Sequence, residues 1–329
     1  MKKFNIYGMG NALVDMEIEV EASFLEASKI EKGMMVLVDE NRQLELLEKV
    51  GSSRHSRSCG GSAANTIIGA TQLGAKTFYS CKVAADETGD FYYNDMVSQG
   101  VDTNLHGDRK DGTTGKCLVF ITPDADRSMN TYLGITETFS EEELSWDDLK
   151  DSEYLYLEGY LVTSPTGKAA AIKAREFARK NGVKVALTFS DPGIVGFFKE
   201  GFQEMMGEGI DLLFCNEAEA MSYTGTETVK ESLKALKAVA KKIAITCGER
   251  GALLWDGQES IEIGTSKVKA VDTNGAGDLF AGAFLFALTK GHSFAEAGKL
   301  ACACSSELVT HFGARLNKEQ TLSVYQSLF

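Results

Sequence analysis

Short continuous apolar runs alternate along this chain with longer stretches whose apolar positions recur at helical spacing. The runs FNIYGMG (4–10), KTFYSCKV (76–83), EYLYLEGY (153–160), VKVALTFS (183–190), IDLLFCN (210–216) and KIAITCG (242–248) have the length and composition of strands. SAANTIIGATQLG (62–74) reads as a helix of small residues. Strands that are apolar at nearly every position are buried on both faces. The pattern therefore predicts an α/β fold with a mainly parallel central sheet and helices on both faces.

Two segments break the alternation. Residues 11–39 hold the β-type runs ALVDMEIEV and MMVLVDE, and residues 113–135 hold TTGKCLVFIT and RSMNTYLGI. These are expected to pair into a small β-sheet lid, the rest of the chain forming one large α/β domain. A movable lid over the ligand crevice and a rigid dimerisation flap both remain open, and one sheet can serve both purposes.

Composition narrows the function more than the fold. A length of 329 residues, 43% hydrophobic and 25% charged, suits a globular α/β chain. No apolar run reaches the length of a membrane span, and the N-terminus MKKFNIYGMGN does not read as a signal peptide. The seven cysteines are scattered through apolar segments, which reads as reduced, buried thiols in a cytoplasmic protein. Cys302 and Cys304 lack a second cysteine pair, so zinc is not expected. A formal charge of −13 argues against nucleic acid. Lysines 230, 234, 237, 241 and 242 interleave with Leu233, Leu236, Ala240 and Ile243, which predicts a solvated helix face.

The stretch VDTNGAGDLFAG (271–282) carries the chemistry. Apolar residues at 276, 279, 280, 283, 284 and 287 mark one helix face, which sets Gly275, Ala276 and Gly277 at a helix N-terminus. Unpaired N–H groups and the positive dipole end meet there, and glycines let them converge on an anion. A tight turn without a ligand is the plain alternative. Asp278 decides between them, since a carboxylate beside a phosphate cradle invites repulsion unless it works as a general base. Asp272 is expected to fix the turn or to organise metal and water. G-x-x-x-x-G-K-[ST] is absent, and GMGNAL lacks the third glycine of a dinucleotide fingerprint. Asn11 and Asp15 just after it suit hydroxyl recognition.

These motifs together resemble the ribokinase family of sugar and nucleoside kinases, in particular its adenosine kinase branch, over nearly the whole chain. DTNGAGDLFAG is similar to the family's C-terminal signature and CGGSAANT (59–66) to its N-terminal glycine signature. YGMGNALVD, EGYLVTSP, FSDPGIVGFFKE and DLLFCNEAEA resemble adenosine kinase stretches. The resemblance implies a ribokinase-like fold with Asp278 as base, Gly275, Ala276 and Gly277 as anion hole, and Arg127 reaching the phosphates from the closing lid. It implies an acceptor site of Asn11, Asp15, Gly60, Gly61 and Asn65. Tyr160 would stack on a base, with Leu13, Leu37 and Met129 as apolar neighbours. Gly193 falls where animal enzymes carry an aromatic residue, which leaves one wall of the base site missing.

For the nucleotide, the resemblance implies Thr246, Gly248 and Gly251 in TCGERG, then Ala303, Ser306 and Gly313. Asn216 and Glu219 of NEAE would order Mg²⁺ through water. A helix N-cap is the plain alternative for that pair. The implied activity is an ATP- and Mg²⁺-dependent nucleoside kinase giving a 5′-monophosphate, most simply from adenosine, with a sugar kinase for ribose or fructose as the alternative. A monovalent cation such as K⁺ is a further candidate. The implied partner is a small molecule, with no nucleic acid or membrane, and the implied state is a monomer or a homodimer through the lid. A non-catalytic binding protein and an NAD-dependent oxidoreductase are the readings from other classes.

Overall fold

A computed structural model describes residues 2–51, 55–124 and 126–329. Among them are fourteen strands: β1 Phe4–Met9, β2 Leu13–Glu19, β3 Met35–Leu37, β4 His55–Gly60, β5 Thr77–Ser80, β6 Asp102–Thr103, β7 Thr114–Ile121, β8 Arg127–Gly134, β9 Ser152–Leu157, β10 Lys184–Thr188, β11 Ile210–Asn216, β12 Ala240–Thr246, β13 Ala252–Trp255 and β14 Ser260–Ile263. Nine form one sheet in the order β14-β13-β12-β11-β10-β9-β1-β5-β6. Seven of these run parallel, and β13 and β14 close one edge as antiparallel strands.

The apolar strands are explained by two cores, one on each face. Ile6, Tyr154, Tyr156, Ala186, Leu212 and Phe214 point into one, with the helices Ser62–Gln72, Ala276–Thr289 and Phe294–Leu308 above them. Tyr7, Leu155, Leu157, Leu187, Leu213 and Ile243 point into the other, under Pro165–Lys180, Lys199–Met206 and Val229–Leu236. Successive side chains of one strand thus enter opposite cores, and no strand position needs to be polar.

The strand order reverses at β1, which has β5 on one side and β9 on the other. In open parallel sheets the crevice beyond the strand ends at such a point is where ligands bind. Here the chain leaves β1 and runs through residues 10–12 straight into a second sheet, of order β3-β8-β7-β2-β4. Four of its strands come from residues 11–39 and 113–135, where Ala125 lies outside the described residues. Register aligns Asp15 with Cys117, Cys117 with Thr131, and Leu37 with Thr131, so this row shares one face. The opposite face, with Val14, Met16, Ile18, Leu118 and Phe120, joins the same core as Ile6 and Tyr154 of the large sheet.

Three features depart from the sequence pattern. The fifth strand of the small sheet, β4, has the polar composition HSRSCG and gave no strand signal. Tyr160 lies beyond β9, in a single 3₁₀ turn over Gly159–Thr163. The lysine face is split: the helix Val229–Leu236 carries Lys230 and Lys234, whereas Lys241 and Lys242 belong to β12. Their spacing mimics a helix across a turn, but Lys241 pairs with Asp211 at 2.8 Å and Lys242 lies over the Phe294 ring.

All seven cysteines are unpaired and buried. No helix among the described residues is long and apolar enough to cross a membrane.

Candidate active site

The helix Ala276–Thr289 begins at Gly275, which adopts the left-handed region at φ 73° as N-cap. An L side chain there would be strained, and a Cβ would lie 2.3 Å from the Ala314 carbonyl oxygen. Ala276 and Gly277, in the first turn, line the cleft, and the Ala276 N–H makes a long hydrogen bond to Thr273 O at 3.3 Å. Gly277 has open space where a side chain would stand.

Asp278 is held by the neighbouring helix. Ser62 Oγ donates to its Oδ1 at 2.7 Å and Asn65 Nδ2 donates to its Oδ2 at 3.1 Å. Both donors lie on one face of Ser62–Gln72, three residues apart. The two helices cross closely because glycines meet there. A Cβ on Gly282 would stand 2.3 Å from Thr66 O, and one on Gly69 2.7 Å from a Leu279 methyl carbon. Burial pushes the Asp278 carboxyl up to about 6, and the Ser62 and Asn65 hydrogen bonds oppose the rise.

Two cavities meet at this helix start, sharing Thr273, Ala276 and Gly277. The first, of about 340 Å³, is lined by Asp278, Asn11, Asp15, Gly61 and Asn65 at a polar end. Leu13, Leu37, Met129, Tyr160 and Ile194 make it apolar elsewhere. Gly193 does not line it; the wall expected to be missing is supplied by the next residue, Ile194. Gly60 also lies outside the lining. It stands behind Asp15, where a Cβ would come within 2.2 Å of the carboxyl. The Asn65 amide nitrogen is spent on Asp278, while its buried Oδ1 has no partner among the described residues and remains an acceptor for a ligand O–H.

A second carboxyl closes the polar end. Glu158, at the end of β9, is 1% exposed. Its Oε1 accepts from Asn11 N at 3.2 Å and Asn11 Nδ2 at 3.1 Å, and its Oε2 accepts from Ala63 N at 2.9 Å. Burial pushes Glu158 up to about 7, the N–H groups of Ala63 and Asn11 pulling the other way. Asp15 is likewise pushed up to about 7 by burial, with Arg315 the largest opposing charge.

The second cavity, of about 500 Å³, is lined by Thr246, Gly248, Gly251 and Ser306, together with Lys267 and Ser305. Ala303 is not among its lining residues. On Phe294–Leu308 the row lining the cavity is Cys302, Ser305 and Ser306, and Ala303 is turned off it by one helical step. Gly313 lies apart as well, its N–H donating to Asp272 Oδ2 at 2.7 Å.

Arg127 lines neither cavity but an adjoining groove with Asp272 and Thr273. Its Nη1 donates to Glu17 Oε1 at 3.2 Å and its Nη2 to Asp272 Oδ2 at 2.5 Å. The small sheet is thereby latched to the loop that leads into the helix Ala276–Thr289. Asp272 fixes that turn, its Oδ1 accepting from Asn274 N at 3.0 Å.

Asn216 and Glu219 form a reciprocal helix cap: Glu219 N donates to Asn216 Oδ1 at 2.8 Å, and Asn216 N to Glu219 Oε2 at 2.9 Å. Both residues face the first cavity, and burial pushes Glu219 up to about 7. No group of three or more His, Cys, Asp or Glu side chains that could hold a metal occurs among the described residues. This donor set fits an ion bound through water and phosphate oxygens, with lone pairs of Glu219 left over from the cap.

A wider groove of about 690 Å³ lies elsewhere, around Lys82 and Lys110. Its cations are neutralised by Glu143 and Glu142 within the same wall, so it lacks the poised groups of the helix-start cavities.

Residues 34–321 match the family described as pfkB family carbohydrate kinase. The chain belongs to that family. It is a phosphotransferase that uses an alcohol group as acceptor. Similar family members include an adenosine kinase from Schizophyllum commune, 31% identical over 319 residues that cover 88% of this chain and 90% of that one. Among solved structures, a probable sugar kinase from Rhizobium etli superposes with TM-score 0.92 at 34% identity, covering all of both chains. The adenosine kinase of Sinorhizobium meliloti gives 0.91 at 34%, covering 99% of each.

Three side chains that form or support the cavity's carboxyls escaped the sequence reading. Ser62 could have been found, since it stands three residues before Asn65 on a helix. Glu158 carried a fainter signal, an acid closing an apolar strand. Arg315 carried none.

Proposed function

We propose that this pfkB-family kinase is an ATP- and Mg²⁺-dependent nucleoside kinase that phosphorylates the 5′-hydroxyl of adenosine. One observation carries the reading. The two cavities join at the N-terminus of Ala276–Thr289, and the one holding Asp278 has a carboxylate-lined end and an apolar end beside Tyr160. Ribose hydroxyls suit Asp15, Asn11 and Asn65, and a flat purine suits the apolar end against Tyr160. A free sugar would leave that end unfilled.

In this reading Asp278 accepts the proton of the 5′-hydroxyl as its oxygen forms a bond to the γ-phosphorus. The bond from that phosphorus to the ADP oxygen breaks, and ADP leaves with the electron pair. The Gly277 N–H, and that of Ala276 once it leaves its long hydrogen bond to Thr273 O, hold the charge on the transferred group. Arg127 adds positive charge from the small sheet once phosphates draw it from Asp272. Asn216 and Glu219 would hold Mg²⁺ through water, and the bound ion would supply charge neutralisation on the nucleotide phosphates.

A sugar kinase is the second reading, favoured by Glu158, which brings one more carboxyl to the polar end. A phosphorylation screen with ATP, Mg²⁺, nucleosides and free sugars separates the two. Turnover of adenosine without ribose or fructose supports the first; sugar turnover alone replaces it with the second.

A further inference from the structure

Three consecutive residues after the helix Phe294–Leu308 reach three parts of the site. The Gly313 N–H holds Asp272, the carboxylate that latches Arg127. The Ala314 backbone packs against Gly275 at the cradle. Arg315 turns to the small sheet. Its Nη2 donates to Cys59 O at 2.5 Å and to Asp95 Oδ2 at 3.2 Å, and that same Oδ2 accepts from Cys59 N at 2.8 Å.

Cys59 belongs to β4, which is an edge strand of its sheet. An edge residue presents an N–H and a C=O without a ladder partner on its outer side. At Cys59 both are taken by one ion pair, largely buried. The next residue, Gly60, lies directly against the Asp15 carboxyl. The pair therefore fixes the backing on which Asp15 rests.

We propose that Arg315 is a positioning residue of the acceptor site: it clamps the end of β4 behind Asp15 and sets a positive charge against that carboxylate. The inference rests on Asp15 being the group that holds acceptor hydroxyls. Several other groups face Asp15: Glu17 from its own strand, Asp278 from the helix Ala276–Thr289, Arg127 from β8 and the Cys117 thiol from β7. Burial drives Asp15 toward its neutral form, Glu17 and Asp278 add to this, and Arg315 opposes it ahead of Arg127. An ionised carboxyl accepts two hydroxyl protons at once, whereas the acid gives up part of that capacity. Lysine has the charge of Arg315 but not the planar fork that meets both Cys59 O and Asp95.

Kinetics and a titration test this. Arg315→Met is expected to raise the KM for acceptor about tenfold while the KM for ATP changes less than about threefold, and to move the acid limb of acceptor kcat/KM up by about one pH unit. Arg315→Lys restores most of the limb and less of the KM. Asp95→Asn keeps an acceptor for the Cys59 N–H and removes a negative charge, so its limb does not move up. An upward limb in Asp95→Asn, or equal rises of both KM values in Arg315→Met, would reduce Arg315 to a structural residue and overturn the proposal.

The second readout needs no turnover. The Asp15 carboxyl ¹³C signal, assigned with Asp15→Asn, is titrated in the ligand-free protein, where its midpoint rises in Arg315→Met. Should that variant not fold, Arg315→Gln keeps a donor for Cys59 O and carries the same charge test. An unmoved midpoint ends the proposal whatever the enzyme phosphorylates. A raised midpoint in a protein that phosphorylates neither nucleosides nor sugars leaves Arg315 standing and removes the acceptor reading instead.

Discussion

In the proposed reaction two demands conflict at Asp278. The group must be ionised to take a proton, yet it stands where the negative charge of a phosphoryl group arrives. Burial pushes it up to about 6, and the hydroxyl of Ser62 and the amide of Asn65 restrain it. A base works in its ionised form, so kcat at saturating acceptor is expected to fall as pH drops through about 6 and to level off above it, apart from the acid limb of acceptor kcat/KM that Asp15 sets at higher pH. Asp278→Asn is expected to lower kcat on the order of 10²–10⁴-fold with acceptor binding largely kept. Steady-state rates beside calorimetric binding check both, and a variant with wild-type turnover would remove Asp278 from the reaction. Asp278 was legible in the sequence because its task needs a helix start beside glycines. Its supports were less so. Ser62 reaches it across 216 positions of sequence, and no local pattern states such a contact.

Among the elements, the crossing of Ser62–Gln72 with Ala276–Thr289 decides whether base and donors meet. Gly282→Ala would push a methyl group into Thr66 O, at 2.3 Å before relaxation. The variant is expected to lose about 1–3 kcal/mol, read from its denaturation midpoint. It should also lose turnover as Asp278 shifts from Ser62 and Asn65; full activity in a destabilised protein would show that the crossing serves packing alone. The small sheet is the other decisive element, tied down to Asp272 through Arg127, which Glu17 of the same sheet also holds. Arg127→Ala is expected to lower kcat on the order of 10²-fold while the acceptor KM changes little, since its charge matters most as phosphate charge redistributes. A raised KM at unchanged kcat would make Arg127 a latch and nothing more. Alternating apolar residues announced four strands of that sheet, but not β4, whose polar residues are ordered by pairing with β2 and by the Arg315–Asp95 clamp.

Over the whole molecule, four carboxyls gathered at one cleft hold protons more tightly than ordinary acids. Burial pushes Asp15, Glu158 and Glu219 up to about 7 and Asp278 to about 6. Their folded values exceed their unfolded ones, so the stability they confer is complete below about pH 4. It is lost as pH rises through 6 to 7. Asp86 and Asp95, held low despite their burial, act oppositely and only at lower pH. The ligand-free protein is therefore expected to melt at a lower temperature at about pH 8 than at about pH 5. For Glu158, the gap between 4.5 and about 7 corresponds to at most about 3 kcal/mol. Glu158→Gln should flatten the fall; an unchanged slope would show that Glu158 is not titrating there.

The sequence by itself determined the alternating strands and helices, the glycine-rich helix start and the acid within its first turn. Each of these is a local matter of periodicity, backbone freedom or dipole. Only the tertiary structure decided which distant side chains gather round that acid. It turned Ala303 away from the cavity of Thr246 and Gly248, sent Gly313 to Asp272, brought Ile194 to the wall where Gly193 leaves none, and set Arg315 behind Asp15. Such contacts follow from how packed elements face one another, and the spacing of residues along a chain does not carry that information.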